Sequence, residues 1–527
     1  MPELRTVLRG GTIFDGSGGS PRKADLAIRG DVIETVGTFE VDTSDVVIEV
    51  TGRYLLPGFI DAHCHAEAAV FSTDVQRGLL RQGVTTVIVG QDGVSYAPGD
   101  GAYATEYFGA LIGRHPSYRG GGVAELLDGY DGTTPINVGY LVPAGTVRHE
   151  VRGYAPGAST PAEVAAMCEL VTTGLREGAL GISTGLDYVP NIYADAAELI
   201  ALSRPVAEVG GIYASHIRGG YESNAPIGIA ELSKIALSTG LSVHVSHYHG
   251  PSDLLIELAD GMASRGADMT FDTYPYRRGC TLLAMPILPP SLLAGSNTEV
   301  VTKLRDPDVR SDLLANWFPT LDANPDIGPE WPDNLALAHI GALEYDWAHG
   351  LTLRTAADRV GVHPADFALD LLAASSLEVS AVMMVCHQRP YEDLAKLFTL
   401  RSHVAGSDGI YIGADPHPRA WGTFAKYLRL FVKERHDYTW SEIAVHLSGH
   451  TAERFCLGDR GRLRPGYVAD VLVIDPELVS DLADYDSPRA DAVGIDDVFV
   501  GGQQVLAGGQ LTGVNSGRGL RRSAPVR

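Results

Sequence analysis

The sequence is short of lysine. Of its 41 basic residues in 527, only Lys23, Lys234, Lys303, Lys396, Lys426 and Lys433 are lysines, and none lies between Lys23 and Lys234. It is short of positive charge altogether, with 65 acidic residues and a net charge of −24. Phosphate neutralisation needs a surplus of Lys and Arg, so the charge argues against nucleic acid and anionic membrane as main partners. The five cysteines, Cys64, Cys168, Cys280, Cys386 and Cys456, are odd in number and scattered. They make neither a disulfide framework nor a CxxC metal site, and they suit a reducing compartment. No apolar run approaches the ~18 residues of a membrane span, and the N-terminus lacks the apolar core of a secretory signal. The expectation is a soluble, cytoplasmic chain, and nothing in it sets an oligomeric state.

What is present divides into three patterns. The first 55 residues alternate apolar and polar positions between glycine turns, and similar short strands return near ADVLVIDP and DDVFVGGQQVLAGG. Neither end is large enough to bury a core alone, so residues 1–55 and 456–515 are expected to combine into one small composite β-sandwich domain. From 56 to 455 strands and helices alternate: YLLPGFIDAH, TTVIVGQD, INVGYLV, ALGISTGL, GIYASH, SVHVSH, MTFDTYPY and HVAGSDG, with amphipathic helical runs between them. That alternation is the mark of an α/β (β/α)8 barrel of the TIM type. A ninth candidate strand, VSAVMMVCH at 379–387, leaves the count ambiguous. The long stretch between MTFDTYPY and HVAGSDG exceeds a normal βα connection. It is read as an inserted subdomain at about 283–350, placed as a lid, and residues 516–527 as a flexible basic tail.

Histidines and acids fall at the strand ends, where barrels of this kind carry their chemistry. The first barrel strand runs into His63-Cys64-His65, whose two histidines share a face while Cys64 points away. The fifth strand ends at His216, the sixth at His247 and the last at Asp408. Each histidine alone could be a hydrogen-bonded structural group. Together they form an N/O ligand set suited to Zn²⁺ or a related divalent ion.

The blocks GFIDAHCH, QGVTTVIVG, GALGISTGLDYVP, GGIYASHIR, VHVSH, DTYPY, GSDG, HPRAWGTF and DRGRLRPGYVADVLVID resemble those of the amidohydrolase superfamily, and within it the N-acyl-D-amino-acid deacylase (D-aminoacylase) family, over nearly the whole chain. The resemblance implies a zinc-dependent hydrolase of linear C–N amide bonds holding one or two ions. Many binuclear members bridge their ions with a carboxylated lysine after the fourth strand, which the lysine gap rules out here. The D-aminoacylases use a cysteine after the second strand, in a block like GNCG. Here the block is GQDG, with Asp92 in the cysteine position. Asp92 is therefore expected to ligate, with Asp187 as fallback. A carboxylate is harder than a thiolate, so Mn²⁺ or Co²⁺ could also serve.

The resemblance further implies a metal-bound hydroxide as nucleophile and Asp408 as both ligand and general base, then acid. It implies that Arg419 binds the substrate α-carboxylate and that Tyr188 contacts its polar end, with Tyr276 and Arg218 as further candidates. Two departures stand near the pocket: His249 replaces a family lysine, and Ala144 replaces a histidine after the third strand. The expected partner is thus a small N-acyl amino acid or related amide. The competing readings are hydrolysis of a cyclic or dipeptide-like amide, and a non-catalytic scaffold, which would not be expected to keep the ligand set.

Overall fold

The structure, a computed structural model, describes residues 4–324, 326–384 and 389–523. Eight parallel strands form the barrel: β1 (Phe59–Asp61), β2 (Val84–Val89), β3 (Asn137–Pro143), β4 (Gly181–Gly185), β5 (Ile212–His216), β6 (Ser242–Val245), β7 (Met269–Thr273) and β8 (His403–Ala405). Each neighbours the next in chain order, and the Ala62 amide donates to the Ala405 carbonyl to bring β1 back to β8. β2, as VTTVIV, is buried at every position, as expected of a parallel strand covered on both faces. The helical runs between strands form where the periodicity places them, at Pro161–Arg176, Ala196–Glu208, Ala225–Thr239 and Ser252–Ser264. The first opens on a Thr160–Glu163 capping box and the third closes on left-handed Gly240.

The two chain ends meet in a second sheet. The strand Val471–Ile474 pairs antiparallel with Tyr54–Pro57, which joins the N-terminal strands to those between Ile495 and Leu511 in a nine-stranded sheet. Leu8, Leu26, Leu55, Val471 and Phe499 from both ends share its apolar core.

Two expectations change. The ninth candidate strand, described as Val379–Met384, leaves the barrel and stands between Arg278–Leu282 and Leu335–Ile340 in a three-stranded antiparallel sheet. Its residues 385–387 lie outside the described ones. The elements of the insertion thus extend from Arg278 to Met384, wider than 283–350, around an apolar core that runs from Leu283 to Ala381. The segment read as a flexible tail is tied down through 523: Gly519–Leu520 pairs in parallel with β3, and a Cβ at Gly519 would meet the Leu127 carbonyl oxygen at 2.1 Å. Residues 524–527 lie outside the described ones. Among the described residues no helix is long and apolar enough to cross a membrane.

Leu55 is fully buried where the chain ends join. Leu55→Ala is expected to cost about 2–5 kcal/mol, read as a lower denaturant midpoint for the terminal sheet. An unchanged midpoint would show that this junction contributes little.

Candidate metal centre

The C-terminal rim of the barrel brings the sequence-picked residues together. β1 itself ends at Asp61. Cys64–His65 then form a short parallel pair with Gly409–Ile410, which sets both histidines beside Asp408. Two groups result: His63, His65, Asp92 and Asp408, and Asp92, His216 and His247. Within each group one ligand atom per residue lies within 4.8 Å of the others. Asp92 belongs to both. Its Oδ1 stands 3.8 Å from His63 Nε2 and 3.7 Å from His247 Nε2, and its Oδ2 stands 3.6 Å from His65 Nε2. Asp408 Oδ1 is 3.4 Å from His65 Nε2 and 3.7 Å from His63 Nε2. Nitrogen and oxygen ligands at about 2.1 Å from one ion and at tetrahedral angles stand roughly 3.4 Å apart, so these spacings suit a common cation. His63 Nε2 and Asp92 Oδ1 are buried without any hydrogen-bond partner. A buried polar atom left unpaired is costly, and an ion at this point would satisfy both. Asp187, the fallback, is outside both groups: its carboxylate holds His216 Nε2 at 3.1 Å and accepts from the Gly219 amide at 2.7 Å.

The electrostatics are those of a cation site. Burial alone would push Asp92 up, but His63, His247 and His65 hold it well below the ordinary carboxylate range. Burial likewise opposes ionisation of Asp408, and Arg419, then His65, bring it down. Burial lowers His63, yet Asp272 and Asp92 raise it to about 9. For His65 burial is overcome by Asp408 and Asp92, to about 10. Without an ion, the histidines therefore hold protons against the two carboxylates.

Four further acids shape the rim, Asp272, Asp61 and Glu67 buried and Asp187 partly exposed, and the first three are not among the residues singled out from the strand ends. Asp272, in β7, lies 3.3 Å from His63 Nδ1 and 2.9 Å from His244 Nε2, and it accepts from the His247 amide at 2.9 Å. Asp61 accepts from the Ser407 amide and hydroxyl at 2.8 and 2.5 Å, next to Asp408. Its carboxyl is pushed by burial to about 7. Glu67 accepts from the Gly90 amide and the Ser95 hydroxyl, both at 3.0 Å. Asp187 orients His216 as described. The signal for two of them was in the motif: Asp61, His63, His65 and Glu67 recur every second residue, polar, between apolar Ala62, Cys64 and Ala66.

The remaining candidates separate. A cavity of about 520 Å³ opens on the cluster, with Tyr188, His249, Tyr276 and Asp408 on its wall. The insertion supplies much of its apolar lining, including Met285, Ile287, Trp317 and Trp331. Tyr188 packs its ring 5.0 Å from that of His216. His249 is lowered to about 4 by burial, and its Nδ1 lies 2.8 Å from the His247 carbonyl oxygen. The Tyr276 hydroxyl reaches the Pro418 carbonyl oxygen at 3.4 Å. Arg419 opens the helix Arg419–Lys426 and, like Arg218, does not itself line the cavity. It is fully buried, with Nη1 2.8 Å from Asp408 Oδ2, Nη2 3.3 Å from the Cys280 carbonyl oxygen, and its guanidinium 4.6 Å from the Tyr274 ring centre. Arg218 is corrected: it is not on the cavity wall, and its guanidinium is spent on Glu231 and on the Ile192 and Ala194 carbonyls. These contacts tie the end of β5 to the helix that follows it and to the segment after β4.

Comparison with known proteins identifies the family. The model of the Amidohydrolase family matches residues 46–506. The D-aminoacylase of Alcaligenes xylosoxydans xylosoxydans is 31% identical over 526 residues, covering 98% of each chain. The N-acyl-D-glutamate deacylase of the same organism is 30% identical over 533 residues, covering 99% of this chain and 98% of the relative. Among solved structures, the N-acyl-D-glutamate deacylase of Bordetella bronchiseptica, complexed with zinc and a phosphonate mimic of the tetrahedral intermediate, superposes with a TM-score of 0.82 at 27% identity, covering 98% of this chain and 100% of that one. Matched along nearly its whole length in sequence and in fold, the chain belongs to the amidohydrolase family, in the branch of the D-aminoacylases.

Proposed function

We propose that the chain hydrolyses the amide bond of an N-acyl-D-amino acid. In this reading His63, His65, Asp92 and Asp408 hold one divalent ion, with zinc the first candidate, and Asp92, His216 and His247 can hold a second. The observation that carries the reading is Asp92 placed between two groups of ligand atoms at the floor of one cavity. The activities named for the relatives, D-aminoacylase and N-acyl-D-glutamate deacylase, support the substrate class. When bound, the ion supplies an activated water and polarises the amide carbonyl.

The chain's own groups do the rest. Asp408 borders both the ligand group and the cavity, so its carboxylate can accept a proton from water and pass it to the leaving nitrogen. Its ion pair with Arg419 keeps it ionised and ready to accept. Arg419 Nε has no hydrogen-bond acceptor, and Nη1 has only the ionic contact to Asp408. That spare capacity, next to cavity-lining Tyr274 and Cys280, suits an incoming α-carboxylate. Tyr188 and neutral His249 offer polar contacts from the wall, and Tyr276 shapes it. Because Asp92 is a harder ligand than a cysteine, Mn²⁺ or Co²⁺ is expected to support turnover too.

A panel of N-acyl-D, N-acyl-L and cyclic amides tests the substrate class, and turnover confined to cyclic or L compounds would overturn it. Asp408→Asn is expected to keep bound ion while turnover falls about 10²- to 10⁴-fold. Normal hydrolysis by that variant would end the proton-transfer role. Ion loading must displace protons from His63 and His65, whose values sit near 9 and 10. Below those values affinity is therefore expected to fall with pH, up to about tenfold per unit for each proton displaced. Calorimetric titration with Zn²⁺ between pH 6 and 8 measures this, and a flat profile would contradict it.

A further inference from the structure

The segment that carries Asp92 is held in an unfavourable shape. Gly90, Asp92 and Gly93 all have positive φ, at 78°, 55° and 71°. Aspartate tolerates the left-handed region better than most residues, but it does not choose it freely. Something outside the segment must hold it there. Ser183 accepts from the Gly93 amide at 3.1 Å and donates to the Gly90 carbonyl. Thr146 accepts from the Ser95 amide at 3.1 Å and donates to the Ser95 carbonyl at 2.9 Å. These ties come from β4 and from the helix after β3. One tie comes from the metal-binding motif itself. Glu67 stands two residues after His65, and its Oε1 accepts at once from the Gly90 amide and the Ser95 hydroxyl, one at each end of the segment. It is fully buried, its backbone carbonyl is pinned by the Tyr130 hydroxyl at 3.0 Å, and its Oε2 has no partner.

We infer that Glu67 is a positioning residue that locks the Asp92 segment onto the His63–His65 motif, so that Asp92 faces both groups of ligand atoms at once. The inference rests on the reading of Asp92 as the shared ligand. One side chain thereby links the two histidines that follow the first strand to the carboxylate that follows the second. A carboxylate that must face three histidines has little angular freedom, and a buried clamp of this kind removes the freedom it has. Loss of the clamp should weaken the three-ligand group of Asp92, His216 and His247 most, because Asp92 is a larger share of it.

The test is Zn²⁺ titration of the full chain after chelator treatment. Glu67→Ala is expected to weaken zinc binding by about 10- to 100-fold, the usual effect of removing a partner that orients a ligand. Glu67→Gln keeps an oxygen that can accept from Gly90 and Ser95, so it is expected to bind close to wild type. As a control, Leu79→Ala truncates a fully buried core residue away from the cluster and is expected to lower the melting temperature without changing zinc affinity. Wild-type affinity in Glu67→Ala, or equal losses in Glu67→Gln and Glu67→Ala, would overturn the proposal. Should Glu67→Ala not fold, Ser95→Ala removes one of the two clamped groups and is expected to weaken zinc in the same direction by less. Wild-type affinity in that variant would then overturn it. If the wild-type chain itself bound no divalent ion, the reading of the site would fall, which is a different result from failure of the clamp.

Discussion

Everything at the barrel rim depends on keeping two carboxylates, Asp92 and Asp408, ionised and side by side where water is scarce. Burial works against both, and mutual repulsion adds to it. The structure offsets this with positive groups on every open side. Three histidines face Asp92, and Arg419 and two of the same histidines face Asp408. Without an ion that role falls to protons on His63 and His65. With one, it falls to the cation, and the protons leave. The same arrangement therefore explains the raised His63 and His65 and the lowered Asp92 and Asp408.

A second set of acids makes the arrangement rigid. Asp272 sets His63 through its ring and His247 through its backbone amide. Asp61 ties the segment that leads into Asp408, Asp187 orients His216, and Glu67 spans the Asp92 segment. Each ligand-bearing strand end is thus held by a carboxylate that does not itself belong to the two ligand groups. The backbone bears the cost: Asp92, His247 and Asp408 all have positive φ, at 55°, 33° and 49°. Such conformations persist only where the surroundings over-determine them, and here the over-determination comes from these buried hydrogen bonds.

Strand-end reasoning singled out His63, His65, His216, His247 and Asp408, which the structure brings to one rim because a barrel's geometry turns position along a strand into position on the rim. It found Asp92 through the lysine gap and the family block. It did not single out Asp272, whose hydrogen bonds join segments far apart in the chain and are not written in local spacing, nor Asp61 and Glu67, although these share the every-second-residue spacing of His63 and His65. Arg218 misled for the complementary reason. An arginine after a ligand histidine looks available until Glu231, thirteen residues on, is seen to take it. The insertion was underestimated because its sheet pairs Arg278–Leu282 with Val379–Met384 across about a hundred residues, a contact that periodicity cannot show.

The lysine scarcity and the aspartate at position 92 bear on one problem, which is how to place a single negative charge between two groups of ligand atoms. A carbamylated lysine, a thiolate and a carboxylate can each carry that charge. A thiolate ligates through one soft atom, whereas a carboxylate offers two hard oxygens with separate directions. In this chain the two are used separately: Oδ1 faces His63 and His247, and Oδ2 faces His65. A ligand of that kind is only as good as its orientation, because a modest rotation of the carboxylate withdraws both oxygens together. That requirement is what the glycines on either side of Asp92, the Ser183 and Thr146 ties and Glu67 meet in common.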